Sequence, residues 1–247
     1  MPLVAAAVCP HPPLLVPSVG RGIDVPARSV ACAAVDRLVA DNPDVVVLVG
    51  ADVAVTYYDD SAVGSLAPFG VRECIGLAGA DSDGHSDPDS DAAADPPTLP
   101  PALTVGAWLL QQTGWTGRRT ALGVPETLTS AEASQLGHDL AATEDRVAVL
   151  CLGDASARRS EKAPGWLDDR AAGFDSQVAA ALADADLEAL AGLDAGLARE
   201  LLAAGRASWQ VLAGAAAGTS WDASLLYDAA PFGVGYLVAE WTRAEPG

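Results

Sequence analysis

Positively charged residues are scarce in this sequence. Its 247 residues contain 14 Lys and Arg against 33 Asp and Glu, which gives a formal net charge of -19 at pH 7. Proteins that bind nucleic acids or anionic membrane surfaces use Lys and Arg to neutralise phosphate groups. The composition therefore disfavours both kinds of partner, and we expect neither a nucleic acid nor a membrane to be one.

Cysteine is also sparse, and the four cysteine residues are far apart in the sequence. No C-x-x-C pair and no second cluster at zinc-finger spacing occurs, which argues against a structural zinc site. Such isolated cysteines are typical of small core residues in a protein from a reducing compartment. They are Cys9, Cys32, Cys74 and Cys151.

Several motifs that carry common chemistry are missing. The sequence has no Walker A motif, no G-x-G-x-x-G after the first apolar run and no G-x-S-x-G elbow, so nucleotide binding and nucleophilic catalysis are weak interpretations. It also lacks a basic segment at its N-terminus and an apolar run long enough to span a bilayer. We therefore expect a soluble, cytoplasmic protein.

The chain is organised around its first apolar run, from Leu3 to Cys9, which stops at Pro10-His11-Pro12-Pro13. A run that is apolar on both faces is typical of a central strand covered by helices. Because proline cannot continue a ladder, His11 should lie at the carboxyl end of this strand, where open α/β sheets bind ligands. His11 could act there as a metal ligand or a general base, or simply as a turn residue bonded to a backbone carbonyl.

A second strand should bring a carboxylate to the same edge. A helix capped by Asp24 and ending near Ala40 is predicted to lead into a buried strand over residues 44–49. Strand, helix and strand form a βαβ unit, which is almost always a right-handed crossover between parallel strands. Asp52, just after the second strand, should then emerge close to His11.

Apolar strand-like runs and helical segments also make up the rest of the chain. We therefore predict one α/β domain over residues 1–247, with a mostly parallel central sheet flanked by helices. The Thr129-Ser130-Ala131-Glu132 sequence predicts a capping box that opens a helix carrying His138. Near the end of the chain, Gly233 and Gly235 indicate a close approach of the backbone to a neighbour or a ligand. The further predicted elements are short strands at 53–57 and 69–75, a helix at 99–112, strands at 120–124 and 147–152, helices at 171–185 and at 193–217 with a break at Gly205, and a last segment at 224–241 that ends as a strand.

One stretch, residues 81–97, differs in character from the rest. Six aspartates lie there among Ser, Gly, Pro and Ala without a single basic residue, which favours a solvated, disordered loop. The Asp81-x-Asp83-Gly84 spacing is superficially similar to a calcium loop, but the bidentate Glu that closes an EF-hand is missing. His85 within this stretch is expected to be an exposed loop residue.

Acidic residues follow two later strands as well. If the strand ends converge, His11, Asp52, Asp154 and Asp228 are candidates to meet at one edge of the sheet. A histidine with carboxylates is an adequate ligand set for Fe(II), Mn(II) or Zn(II). Asp also caps turns and helices very often, so each aspartate taken separately could have that role instead.

The order of these motifs resembles that of the class III (LigB-type) extradiol ring-cleavage dioxygenases and the related Memo-like proteins, in particular a shorter bacterial branch with a LigB-like domain. The resemblance spans nearly the whole chain. The segments that carry it are Cys9-Pro10-His11-Pro12-Pro13, Val47-Leu48-Val49-Gly50-Ala51-Asp52, Gly153-Asp154-Ala155-Ser156-Ala157-Arg158, Ala204-Gly205-Arg206 and Tyr227-Asp228-Ala229-Ala230-Pro231-Phe232-Gly233.

The resemblance implies a LigB-like fold and a non-haem metal at the strand edge, held by two histidines and a later ligand, with another histidine acting as acid/base on a catechol. Carried over by position, the metal ligands would be His11, Asp52 and a later residue near Ala204 or at Asp228. The acid/base position falls on Ala157. The sequence thus departs from the family pattern at several positions, since it offers one histidine with carboxylates rather than a facial triad of two histidines and one carboxylate.

Two functional hypotheses remain open. The first is an enzyme of the extradiol dioxygenase type with an altered site, using a divalent metal at His11, Asp52 and Asp228. The second is a non-catalytic, Memo-like relative without a metal, whose cleft binds a small aromatic molecule, a peptide or a protein, and homo-oligomers are possible in either case. The residues that would contact the bound molecule are Pro12, Asp154, Tyr227 and Phe232, with Tyr57, Tyr58 and Trp166 as further aromatic candidates.

Overall fold

The structure is a computed structural model that describes residues 3–78, 96–142 and 146–244. The predicted acidic loop at 81–97 lies outside the described residues except for Pro96 and Pro97, and His85 lies outside them too. No helix within the described ranges is long and apolar enough to cross a membrane.

The strands within the described residues are β1 Leu3–Cys9, β2 Val45–Ala51, β3 Thr56–Tyr58, β4 Val63–Ser65, β5 Cys74–Gly76, β6 Thr98–Leu99, β7 Arg118–Val124, β8 Val147–Leu152, β9 Trp221–Ala229 and β10 Tyr236–Arg243. A seven-stranded sheet forms the centre of the molecule, in the strand order β3-β7-β2-β8-β1-β10-β9. A second sheet has three strands in the order β5-β4-β6.

The four inner strands β7, β2, β8 and β1 run parallel, as their apolar composition predicts. Their carboxyl ends therefore meet at one edge of the sheet. Strand β10 is antiparallel to β1, with Val8 opposite Ala239, so the first residue of β10 lies at that same edge. The last two strands form an antiparallel pair at one side of the sheet.

Helices cover both faces of the central sheet, and each face has its own apolar core. The helices α2 and α3 pack on one face, while α4, α5, α6 and α8 form the layer on the other. This arrangement confirms the predicted α/β class with flanking helices. The helices are α1 Pro17–Gly20, α2 Ala27–Ala40, α3 Pro101–Gln112, α4 Ser130–Ala141, α5 Ala171–Ala183, α6 Leu187–Ala191, α7 Ala195–Glu200 and α8 Arg206–Ala215.

Several element boundaries differ from the sequence prediction. Asp24 does not cap α2, because Pro26 occupies the N-cap and no side chain bonds there. Leu99 lies in β6, so α3 starts two residues later than predicted, at Pro101. The predicted break at Gly205 in the helical region at 193–217 is confirmed, since Gly205 is the N-cap of α8, but the first helix of this region, α7, already ends at Glu200.

Candidate functional site

His11 lies just beyond the end of β1, held between Pro10 and the buried Pro12. Its backbone N–H donates a hydrogen bond of 2.9 Å to Oδ1 of Asp154. The carbonyl of Pro12 accepts a bond from the N–H of Leu15, which turns the chain into a short 3-10 helix, Pro13–Leu15. The proline-rich segment therefore fixes His11 at the carboxyl edge, as predicted.

The ring of His11 faces the same carboxyl group. Its Nδ1 lies 3.9 Å from Oδ1 of Asp154, which is too long for a hydrogen bond. That nitrogen is buried and has no hydrogen-bond partner among the described residues. Both side chains are 15% exposed, so part of each reaches the surface while Nδ1 itself is covered, and a small molecule would have to enter between them to bond to this nitrogen.

Asp154 follows β8, the strand next to β1. Burial raises the pKa of its carboxyl group, and His11 acts in the opposite direction through its charge and its N–H bond. Desolvation disfavours the charged form of a carboxyl group, so burial is the larger influence here. The structure thus places a histidine beside a carboxyl group of raised pKa, an arrangement typical of functional sites.

The loop that carries Asp154 is fixed by backbone bonds to the start of β10. The N–H of Ala155 donates to the carbonyl of Gly235 at 2.8 Å, and the N–H of Gly235 donates to the carbonyl of Ser156 at 2.8 Å. A side chain at Gly235 would collide with Asp175, because a Cβ there would lie 2.4 Å from Oδ2. The close approach predicted for this glycine is therefore confirmed, and the neighbour is Asp175.

Asp175, on α5, holds this loop in place through three hydrogen bonds. It is 1% exposed and accepts bonds from the N–H and the hydroxyl of Ser156 and from Nη1 of Arg159, at 2.8, 2.9 and 2.8 Å. A buried carboxylate with three donors holds its neighbours in one geometry. Asp175 therefore positions the loop that presents Asp154.

Tyr236 interacts with Asp154 and with two further aromatic residues, Tyr227 and Phe232. Tyr236, the first residue of β10, is buried, and burial together with the charges of Asp154 and Tyr227 raises the pKa of its hydroxyl. The ring centroids of Tyr236 and Phe232 are 6.4 Å apart. We call His11, Asp154, Tyr227, Phe232 and Tyr236 the strand-end site.

Of the predicted ligand-contacting residues, Asp154 lies beside His11, and Pro12 follows His11 in the chain. Tyr227 and Phe232 are connected to this pair through Tyr236. Tyr236 was missed by sequence reasoning, although its place just after Gly233 and Gly235 at a strand start was the signal that could have found it.

Asp52 and Asp228 do not join His11. Asp52 follows β2, and β8 separates that strand from β1. Its Oδ2 accepts a bond of 2.7 Å from the hydroxyl of Tyr58, and it lies against Gly123 of β7, on the side away from His11. Asp228 is an exposed residue of the outermost strand, opposite Leu237.

The residues present therefore do not fit the three-ligand metal centre that the sequence suggested. Within residues 3–78, 96–142 and 146–244, no group of three His, Cys, Asp or Glu side chains could hold a metal ion. The physical reason is that the carboxylate of Asp52, just after β2, lies against β7 and Tyr58 rather than near β8. The other histidine in these ranges, His138, is exposed on α4.

The remaining aromatic candidates lie elsewhere. Tyr57 and Tyr58 belong to β3 and line a separate cleft. Trp166 is 67% exposed and has a left-handed backbone, with φ 63°. A bulky residue rarely adopts that conformation, so the loop holds its indole in solvent at a cost in free energy.

Comparison with known proteins supports the fold and adds no function. No protein-family model matches the chain, and no curated protein matches it. Among solved structures, an uncharacterized protein from Escherichia coli K12 matches with a TM-score of 0.55 at 13% identity, covering 97% of this chain and 99% of the other. The protein is thus an α/β protein whose fold is shared, at low identity, with a bacterial protein of nearly the same extent.

Proposed function

We propose that this protein is a binding protein whose strand-end site takes a small aromatic molecule carrying a hydroxyl group. The observation that supports this most directly is the buried, unpartnered Nδ1 of His11 beside Asp154. A buried polar atom without a partner costs free energy, so a ligand group that bonds to it gains that energy back.

The surroundings of this pair favour an aromatic ligand over an aliphatic one. Phe232 and Tyr236 already form an aromatic pair there, and Phe232 is 37% exposed. Aromatic rings pack favourably edge-to-face or offset, adding about 0.5–1.5 kcal/mol per pair beyond the area buried. A phenolic ligand would place its ring against Phe232 and its hydroxyl at His11 or Asp154.

Extradiol dioxygenase activity is a second candidate, and the observation that favours it is the position of His11 at the carboxyl edge. Against it stand the separation of Asp52 from His11 and the methyl group of Ala157 at the position where the resemblance implies an acid/base histidine. Without that histidine, general acid/base catalysis, typically worth about 10²–10⁴-fold, is missing at this position. Binding without ring cleavage is therefore the better-supported function.

Calorimetric titration with a matched ligand series tests the proposal. Phenol, catechol and hydroxybenzoate are compared with toluene and cyclohexanol, using wild type, His11→Ala and Phe232→Ala, with His138→Ala as the control for an exposed histidine. We expect saturable binding of the phenols, about tenfold weaker in His11→Ala and Phe232→Ala. Treatment with a chelator and the His138→Ala change should leave binding unchanged.

Two outcomes would contradict the proposal. The absence of saturable binding by every phenol would exclude this ligand class. Oxygen consumption and ring-cleaved product after anaerobic loading with Fe(II), lost in His11→Ala, would instead establish the dioxygenase.

A further inference from the structure

A second cavity lies away from the strand-end site, between α4 and the first halves of β2, β7 and β8. Its volume is about 550 Å³. Ligand pockets for small molecules typically measure about 300–1,000 Å³. We call it the β7–α4 cleft; its apolar lining includes Val45, Val47, Leu122, Leu136, Leu140 and Val147.

The cleft exists because β3 is short. It pairs with Ala121, Leu122 and Gly123 of β7 and does not extend along the first part of that strand. A longer edge strand would close this space. Tyr57, in β3, lines the cleft and is 71% exposed.

The floor and the mouth of the cleft differ in chemistry. Val45, Leu122 and Val147 are buried at its floor, each 4% exposed or less. Asp59 and Asp139 line the cleft as exposed residues and so belong to its mouth. An apolar interior with few polar groups at the opening is the usual composition of a small-molecule site.

The groups at the mouth favour a cation. Asp59 accepts bonds from the N–H and the hydroxyl of Ser61, and these bonds hold the pKa of its carboxyl group below the usual value. The exposed ring of Tyr57 presents a face on which an ammonium group is attracted by the ring quadrupole. Arg118 also lines the cleft and has an interaction within the protein, but the carboxyl groups of Asp59 and Asp139 outnumber this one guanidinium.

We propose that the β7–α4 cleft binds an amphipathic amine, with the apolar body against Leu122, Leu136 and Val147 and the ammonium group between Asp59, Asp139 and Tyr57. This site is independent of the strand-end site. The two differ in ligand charge and in the residues that contact the ligand, so they are tested separately.

Naphthylethylamine and naphthylpropionate form a suitable probe pair, because they share a body and differ in the sign of the charged group. Calorimetric titration of the wild type should give one site for the amine, with the acid bound at least about tenfold more weakly. Leu136→Trp fills the cleft and should abolish binding of the amine. Leu167→Trp, the same change at a residue 43% exposed and outside the cleft, should leave it intact.

A second pair of variants tests the charges without altering the apolar floor. Asp59→Asn combined with Asp139→Asn should bring the affinity for the amine down to that for the acid. Asp184→Asn combined with Asp222→Asn removes the same charge from exposed positions outside the cleft and should have no such effect. His11→Ala should also bind the amine normally, which separates this site from the strand-end site.

The proposal fails if the acid binds as tightly as the amine, or if neither probe gives saturable binding. It also fails if the Asp59 and Asp139 double variant binds the amine like wild type. That variant changes exposed side chains only, so its result decides the matter even if Leu136→Trp does not fold.

Discussion

Asp154, in the strand-end site, is a largely buried carboxyl group, and its raised pKa makes stability depend on pH. Because the folded protein holds this proton more tightly than the unfolded chain, stability falls as pH rises from the ordinary value near 3.8 through the folded pKa, and stays lower above it. Such a cost is expected where a residue is kept for function rather than for stability.

Asp154→Asn should therefore be more stable than wild type at neutral pH. The amide oxygen can still accept the N–H of His11, while the penalty for burying a charge disappears. Thermal melting at about pH 7.5 and about pH 4 checks this, and the advantage of the variant should shrink on acidification. A variant less stable than wild type at neutral pH would mean that the ionised carboxylate stabilises the fold.

Asp175 is the opposite case, a buried carboxylate that stabilises the loop carrying the site. Asp175→Asn leaves the guanidinium of Arg159 without its charged partner; because that side chain is 27% exposed, water screens part of the loss, and we expect a cost of about 1.5–3 kcal/mol. Urea denaturation measures the loss. Asp168→Asn, at an exposed ion pair with Arg170, is the matched control and should change stability far less; equal effects would contradict the role given to Asp175.

Residue-level prediction from the sequence succeeded where the backbone was constrained. Pro10 and Pro12 restrict the chain on both sides of His11, so its place at the strand end could be predicted. The direction of the Asp52 side chain could not, because it depends on a hydrogen bond to Tyr58 in a neighbouring strand. The partner of Gly235 was likewise invisible, since Asp175 lies far from it in the chain.

Element packing around the site depends on a contact between two glycines. Gly153, after β8, lies so close to Gly205, before α8, that a Cβ on Gly153 would be 2.2 Å from the Cα of Gly205. The N–H of Gly205 also donates to the carbonyl of Asp154 at 2.9 Å. The start of α8 is thereby fixed next to Asp154, a residue of the strand-end site.

Gly153→Ala should cost at least about 2 kcal/mol, because the backbone atom it meets cannot rotate away as a side chain would. Gly173→Ala is the matched control: this glycine lies exposed within α5 with nothing near its Cβ position, so alanine should stabilise the helix by about 0.5–1 kcal/mol. Urea denaturation of both variants checks the opposite signs. A neutral Gly153→Ala would show that α8 can move away from β8 freely.

The elements that a short sequence segment determines by itself were predicted correctly. The capping box at Thr129 and Glu132 is present, and β1 and β8 have the bounds that their apolar runs indicated. The first strand of the final hairpin, β9, was not recognised, because only its pairing with β10 makes it a strand. Tertiary pairing of this kind leaves a weak pattern in the sequence.

At the scale of the whole molecule, the fold follows from the pattern of apolar residues, whereas a function depends on the identity and orientation of a few side chains. Apolar strands joined by helices already define a sheet with a core on each face, and the structure has that arrangement. The two proposed binding functions depend on a few side chains at the strand ends and in the β7–α4 cleft, whose orientation no periodicity records. The shared fold with a structure at 13% identity accordingly leaves the ligand to be determined by binding experiments.

The net charge of -19 gives the last prediction. Mutual repulsion among carboxylates destabilises the compact state, and salt screens it over a Debye length that falls from about 30 Å at 0.01 M to about 8 Å at 0.15 M. The melting temperature should therefore rise when NaCl is added at neutral pH. Replacing the aspartates of the acidic stretch with asparagine, at Asp81, Asp83, Asp87, Asp89, Asp91 and Asp95, removes six charges and should reduce this salt effect. A melting temperature that is constant or falls with salt would mean that attractive ion pairs, such as those of Arg170, outweigh the repulsion.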